Sequence, residues 1–239
     1  MTIRIAMWSG PRNISTAMMR SWENRPDTMV VDEPFYACYL AATKSPHPYF
    51  DEILASQSQD FSTVAKQLTQ QQEDCAFYYQ KHMTHHMLDD ADLSWTADML
   101  HCFLIRNPAE VVNSYTNSRG VCSANDIGII RQAELYQEIS AISGQTIPVL
   151  DSNDVLKDPE QMLQKLCQAL SVPFDNAMLQ WPTGRRNSDG VWASHWYHNV
   201  EKSTSFAPFQ EKAFTLSKQQ KQVVEQVMPS YQLLTEHKL

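Results

Sequence analysis

Five short apolar runs, each followed by residues with helical spacing, constrain this chain more than any other feature. The runs are Ile3–Trp8, Met29–Asp32, Ala76–Gln80, Cys102–Ile105 and Ile147–Leu150. Most are apolar nearly throughout, the pattern of strands covered on both faces. Helical patterns fall between them, over Ser15–Glu23, Thr63–Gln72, Glu110–Ser118 and Asp126–Ile142. Asp158 and Pro159 mark the N-cap and first position of a further helix, whose Leu163, Leu166, Cys167 and Leu170 share a face. Ser217 with Gln220 three positions on forms a capping box that opens a last helix over Lys218–Met228. Such alternation predicts an α/β domain with a mainly parallel sheet.

With 239 residues, 43% of them hydrophobic, the chain can build one large domain with a sizeable core, expected to span 1–239. No internal repeat or linker divides it. The stretch Gly184–Ser205 is polar with few apolar anchors and reads as a long loop, of the kind that is usually functional. No run approaches the roughly 18 apolar residues of a membrane span. The N-terminus lacks the basic region and long apolar run of a signal peptide, so a cytoplasmic location is expected. The five cysteines are scattered and never spaced as CxxC, which predicts neither a disulfide framework nor a zinc site. A net charge of −8 argues against sequence-independent nucleic-acid binding, so any anion site must be local. Arg12, Arg106, Arg119, Arg185 and Arg186 all lie near glycine, serine or asparagine.

The first of these lies in WSGPRNIST, Trp8–Thr16, between the first strand and the first helix. A strand–loop–helix junction made by Gly10, Pro11, Arg12 and Asn13 points backbone N–H groups at an anion. Ser15 and Thr16 add hydroxyl donors at the helix start, where the macrodipole favours negative charge. Arg12 adds a forked donor set suited to phosphate or sulfate. The competing reading is a plain turn capped by Asn13 or Ser15. A Walker loop, GxxxxGK[ST], is not met, because Ile14, Ser15 and Thr16 stand where its lysine would be. A second cluster is FLIRNPAEVVNSY, Phe103–Tyr115. Arg106 ends a strand, Pro108 opens a helix, and Ser114 follows Arg106 by eight positions. The pair is able to grip a second phosphate, or Arg106 merely caps the sheet edge.

Together, WSGPRNIST and RNPAEVVNS resemble the sulfotransferases that use 3′-phosphoadenosine-5′-phosphosulfate (PAPS). The resemblance implies a P-loop-like three-layer α/β/α fold. It implies that the Gly10–Pro11 loop with Arg12, Asn13, Ser15 and Thr16 holds the 5′-phosphosulfate, and Arg106 and Ser114 the 3′-phosphate. Asn13 and Ile14 stand where that family usually has Ser-Gly. The stretch from Thr146 to Phe174 is similar to the family's later strand and Pro-Glu helix. GRRNSDGVW is similar to a late loop whose basic residues meet the 3′-phosphate, which offers Arg185 and Arg186 as ligands. The similarity runs from Ile3 to about Trp192, and ASHWYHNVEKSTSFAPF beyond it matches nothing in the family pattern.

Sulfuryl transfer needs a base for the acceptor and cations for the leaving phosphate. Glu33, in VVDEPFYACYL, follows the second strand and so stands at the sheet edge that carries the Arg12 loop. Several sulfotransferase branches resemble this, with a glutamate base just after strand two. Phe35 and Tyr36 beside it would desolvate the carboxylate and raise its pKa. The alternative is that Asp32 or Glu33 caps a turn. The second candidate base lies in YYQKHMTHHM, which resembles a Lys-Thr-His region of cytosolic sulfotransferases. There Lys81 would support the leaving oxygen and His82 or His85 would take the proton, unless the histidines are simply packed or solvated. His82 and His86 are four apart and could share a helix face, and His195 and His198 pair similarly in an apparent loop. No HExxH pattern is present, and a full ligand set would need a distant carboxylate, so no metal is expected. The expected reaction moves a sulfuryl group from PAPS to a hydroxyl or amine of a small-molecule acceptor, leaving 3′-phosphoadenosine-5′-phosphate (PAP). A Mg-nucleotide kinase or triphosphatase, or a nucleotide-binding homologue without turnover, are the alternatives. Neither the acceptor nor the oligomeric state is legible.

Overall fold

A computed structural model describes residues 2–70 and 74–239. In chain order the elements are β1 (Ile3–Ser9), α1 (Ser15–Glu23), β2 (Thr28–Asp32), α2 (Tyr36–Thr43), α3 (Phe50–Ser56), α4 (Phe61–Gln70) and β3 (Phe77–Met83). They continue with β4 (Leu100–Ile105), α5 (Pro108–Arg119), α6 (Ala124–Ile127), α7 (Ile129–Ser143), β5 (Val149–Asp151), α8 (Ser152–Lys157) and α9 (Pro159–Ala169). The last are α10 (Ala193–Trp196), α11 (His198–Glu201) and α12 (Lys218–Thr235). Among the described residues the strands form one parallel sheet in the order β2-β3-β1-β4-β5.

The period-2 alternation of the strands explains the layers. Ala6 and Trp8 of β1, Tyr78 of β3 and Phe103 and Ile105 of β4 join one core with residues of α4, α5, α7 and α12. Ile5 and Met7, Tyr79, Cys102 and Leu104 point the other way, into a core with α1 and α9. Both faces are covered, so the strands read as continuous apolar runs and the fold is α/β/α. The edge beyond β5 is closed by the C-terminal residues, where Leu239 N donates to Val149 O at 3.0 Å.

The predicted capping signals form their bonds. The Asp158 side chain accepts from Gln161 N at 3.0 Å, and Ser217 and Gln220 exchange both capping-box bonds at 2.8 and 3.3 Å. Where the structure differs, packing or backbone geometry decides. The helix expected over 126–142 breaks at Gly128, which takes φ 69° and separates α6 from α7. α12 continues through Pro229 to Thr235, because Val223, Val227 and Leu234 stay buried along it. That packing outweighs the hydrogen bond proline cannot donate. β5 starts after Pro148, not at Ile147. The helix expected over 63–72 begins earlier, at Phe61, and positions 71 and 72 lie outside the described residues.

Residues 184–205, read as an open loop, contain α10 and α11 and are anchored in the protein. Trp192, Ala193 and Tyr197 are buried with Tyr36, Leu40 and Ile53 in a third apolar cluster formed with α2 and α3. That stretch has few apolar residues, yet the two large aromatic rings Trp192 and Tyr197 suffice to anchor it.

Candidate functional site

The sheet order changes direction at β1, so β1 and β4 lead their chains to opposite sides of a crevice at the strands' carboxyl ends. The first occupant of that crevice is the loop between β1 and α1. Arg12 and Ile14 both adopt left-handed backbone, at φ 65° and 57°. Such conformations cost non-glycine residues on the order of 1 kcal/mol each, and persist where surroundings impose them. Ile14 is itself the N-cap of α1, and no side chain caps that helix. Neither Asn13 nor Ser15 fills the role, so the turn reading gives way to an open helix N-terminus, whose N–H groups suit an anion. The Asn13 amide turns inward, donating to Leu104 O at 3.2 Å, and is not presented to a ligand. Ser152 Oγ donates to Asn13 O at 2.9 Å, locking the loop onto the ends of β4 and β5. A side chain at Gly10 would put its Cβ 2.5 Å from Ile127 O.

Two hollows open beside this loop. A cavity of about 230 Å³ is lined by Pro11, Arg12 and Ser15 of the loop together with Glu33, Met83 and His85. Tyr36, Tyr39, Tyr115 and Trp196 supply aromatic walls. A groove of about 370 Å³ is lined by Arg106, Glu110 and Ser114, with Lys212 and Phe214 across from them. The two meet at Arg12 and Ser118. Arg12 Nε donates to Ser114 Oγ at 3.0 Å, and Arg106 Nη1 donates to Arg12 O at 3.2 Å. The loop and the Arg106 motif, distant in sequence, are thus one surface. Arg106 also pairs with Glu110 at 2.7 Å, which fixes its fork and leaves further N–H donors. Burial, then the charges of Arg106 and Arg119, lower the Arg12 pKa, the expected result of cations converging on one place. Thr16 lies in the first turn but lines neither hollow.

Glu33 faces the cavity from the end of β2, with its backbone at φ 44°. Its N–H donates to Lys81 O at 2.9 Å and so extends the strand ladder. Lys81 lies beneath it, 1% exposed. The ammonium donates to Glu33 Oε1 at 2.7 Å, Asp32 Oδ1 at 2.8 Å and Tyr197 Oη at 2.6 Å. Those contacts use its three protons, and Lys81 lines neither hollow. It is therefore a support for the carboxylates, not the free cation expected at a leaving group. Burial raises the Glu33 pKa, Lys81 opposes that, and Asp32 adds to it, leaving Glu33 raised. Burial also works against the Lys81 charge, but Asp32 and Glu33 hold it protonated.

The same knot anchors Gly190 and Trp192 of GRRNSDGVW. Tyr197 Oη donates to Asp32 Oδ2 at 2.7 Å and accepts from Trp192 Nε1 at 3.2 Å. Gly190 N reaches Asp32 Oδ2 at 3.3 Å, and the Trp192 ring lies 2.2 Å from where a Gly190 Cβ would sit. This loop is held on the β2 side by Arg20 and Asp189, 2.6 Å apart. Arg185 and Arg186 consequently do not reach the Arg106 groove. Arg185 lies 3.7 Å from Glu201, and Arg186 donates to Pro182 O at 2.6 Å near Glu23. Lys212, from a segment with no motif, stands in the groove instead.

Strand alternation separates the histidines. Lys81 and His82 are neighbours in β3 and point to opposite faces. His82 stacks on Trp8 with ring centroids 4.5 Å apart and shares a hydrogen bond with Gln80 Oε1 at 3.1 Å, away from both hollows. Burial lowers its pKa to about 3. His85 follows the strand in a short turn, lines the cavity, and has a buried Nδ1 without a partner. Burial, then Arg119, lowers it to about 4, so it is neutral near pH 7. His86 stacks between Tyr36 and Tyr39, with Nε2 4.0 Å from Glu33 Oε2. His195 and His198 lie exposed on α10 and α11, and no group of three metal-ligating side chains occurs among the described residues. No helix there is long and apolar enough to cross a membrane.

Residues 3–237 match the family model of the sulfotransferase domain. Two Arabidopsis thaliana proteins, branched-chain-amino-acid aminotransferase-like proteins 1 and 2, are 33% and 31% identical over 233 residues. The match covers 98% of this chain but only 42% and 41% of theirs, so the chain spans less than half the length of these relatives. The fold is similar to that of a sulfotransferase from Alicyclobacillus acidocaldarius, with TM-score 0.57, 9% identity and coverage of 99% of this chain and 95% of the other. It is also similar to the sulfotransferase domain of a Synechococcus olefin synthase, with TM-score 0.54, 15% identity and 95% coverage of both. With residues 3–237 matched, nearly the whole chain, the chain belongs to the sulfotransferase domain family.

Proposed function

We propose that this domain transfers a sulfuryl group from PAPS to a hydroxyl or amine of a small acceptor, releasing PAP. The observation that carries this reading is the pair of anion-suited hollows joined at Arg12, with Glu33 lining the same cavity. A donor nucleotide carrying phosphate at both ends suits that arrangement. The 3′-phosphate would sit by Arg106, Ser114 and Lys212, and the phosphosulfate by Arg12, Ser15 and the open start of α1. The acceptor oxygen or nitrogen attacks sulfur, the bond from sulfur to the bridging oxygen breaks, and Glu33 takes the acceptor's proton. Arg12 offsets the charge that builds on the leaving phosphate. Lys81 acts through Glu33, holding the carboxylate in place. His85 lines the same cavity as a second group able to receive a proton.

A Mg-nucleotide kinase would need Asp32, Glu33 and Lys81 on its nucleotide, but Lys81 is bonded to both carboxylates, and neither it nor Asp32 lines a hollow. Thermal-shift measurements with PAP, Mg·ATP and ADP distinguish the readings, since a ligand of the native state raises stability by mass action, by about 2.7 kcal/mol at a hundred times its Kd. PAP is expected to raise the Tm and Mg·ATP to leave it unchanged. Stabilisation by Mg·ATP with none from PAP would overturn the proposal.

A further inference from the structure

The cavity has one cation that the donor reading leaves unused. Arg119, the last residue of α5, lies on the cavity wall opposite no acid of its own. Its guanidinium stacks over the Trp196 ring at 4.2 Å and over Tyr115 at 5.3 Å. Stacking of this kind fixes the plane of the guanidinium and leaves its edge donors free for a planar anion. Among the described residues no carboxylate comes within salt-bridge distance of it. Asp126 also lines the cavity, but its Oδ2 is taken by Ser123 N and Oγ at 2.8 and 2.6 Å in the capping box of α6. Arg119 also lowers the pKa values of Arg12, His47 and His85, three groups of the same cavity. Its charge therefore acts inward as well as on solvent.

The remaining walls set the size and shape of what Arg119 can meet. A volume of about 230 Å³ falls below the roughly 300–1,000 Å³ of pockets that take drug-sized ligands. The aromatic rings that line the cavity together with Arg119 and Glu33 favour a short apolar body with polar ends.

Building on the sulfotransferase reading, we propose that the acceptor is a small hydroxy acid, its carboxylate bound by Arg119 and its hydroxyl turned to Glu33. A bidentate carboxylate on a stacked guanidinium is a strong, geometry-selective contact. The neutral amide of the same compound loses it. Trp196 and Tyr115 act as positioning residues that hold the guanidinium plane.

The test is calorimetric titration of the protein, with and without saturating PAP, against hydroxy acids of about three to six carbons, the size this cavity admits. Each acid is paired with its primary amide. At least one acid should bind roughly tenfold or more tightly than its amide, as expected for a charge-assisted contact. Arg119→Gln should abolish that preference, and Arg119→Lys, which keeps charge without the fork, should restore it only partly. Arg119 is exposed, so these variants are expected to keep the wild-type Tm. Amides binding as well as acids, an acid preference that survives Arg119→Gln, or no acid binding at all would each overturn the proposal. If PAP binds while the acid preference is missing, only the acceptor assignment falls. If PAP fails to bind, the sulfotransferase reading falls, and an acid preference lost in Arg119→Gln still stands for the cavity.

Discussion

Glu33 and Lys81 meet at 2.7 Å inside the protein, and that contact bears on the protonation of the proposed base. A carboxylate whose pKa is raised by burial is a better base near neutral pH than an ordinary surface glutamate. Glu33→Gln keeps the shape and removes the proposed base. It is expected to lower kcat/KM about 10²–10⁴-fold while PAP binding persists. In the wild type the rate should rise with pH as Glu33 loses its proton, and that limb should vanish in the variant. Steady-state kinetics across pH check both statements; an unchanged profile would remove Glu33 from the mechanism. Lys81→Met tests the support role differently. It strands Asp32 and Glu33 in the interior without their cation, a change that costs about 3–5 kcal/mol. Chemical denaturation should therefore show a large loss of stability, where a lysine acting on the leaving group alone would give loss of rate with little change in stability.

At the scale of elements, the site is made by the junction of β1 with α1 and its seat on α6. Gly10 touches the end of α6 so closely that a methyl group would collide with Ile127 O. Gly10→Ala is predicted to cost about 1–3 kcal/mol, as overpacking does, and to weaken PAP binding by displacing Arg12. Urea denaturation measures the first effect and thermal shift with PAP the second. A stable variant with normal PAP binding would mean that the loop moves independently of α6. The elements also show why some site residues were legible and others were not. Arg12, Ser15, Glu33 and Arg106 follow closely on strands or start a helix, and Ser114 lies two turns into the helix that Pro108 opens, so a local pattern locates them near the carboxyl edge. Arg185 and Arg186 lie in a loop whose course is set by Arg20–Asp189 and Asp32–Tyr197 contacts across 169 and 165 positions. No local pattern reports such partners.

The whole molecule carries buried imidazoles that bind protons more weakly folded than unfolded. Burial lowers His82 to about 3 and His85 and His101 to about 4, from 6.5. His101 is held neutral between Trp8 Nε1, which donates to its Nδ1 at 3.2 Å, and Thr96 O at 2.9 Å. Because the unfolded chain takes up these protons first, the stability from neutral histidines is complete above about pH 6.5 and is lost as pH falls toward 4. Each proton contributes a slope of up to about 1.4 kcal/mol per pH unit. Urea midpoints measured from about pH 7 down to pH 4.5 should fall steeply. A flat profile would show that these rings are not buried and neutral.

The sequence by itself determined the strand–helix alternation, the parallel α/β sheet, the helix caps and the two arginine motifs, because each is written in residues within a turn or two of one another. Only the tertiary structure decided that Lys81 supports Glu33, that His82 stacks in the core on Trp8, and that Lys212 and Arg119 share the hollows with Arg12. Strand register turns neighbours to opposite faces, and long-range ion pairs settle where loops lie, so these roles arise only when distant segments meet.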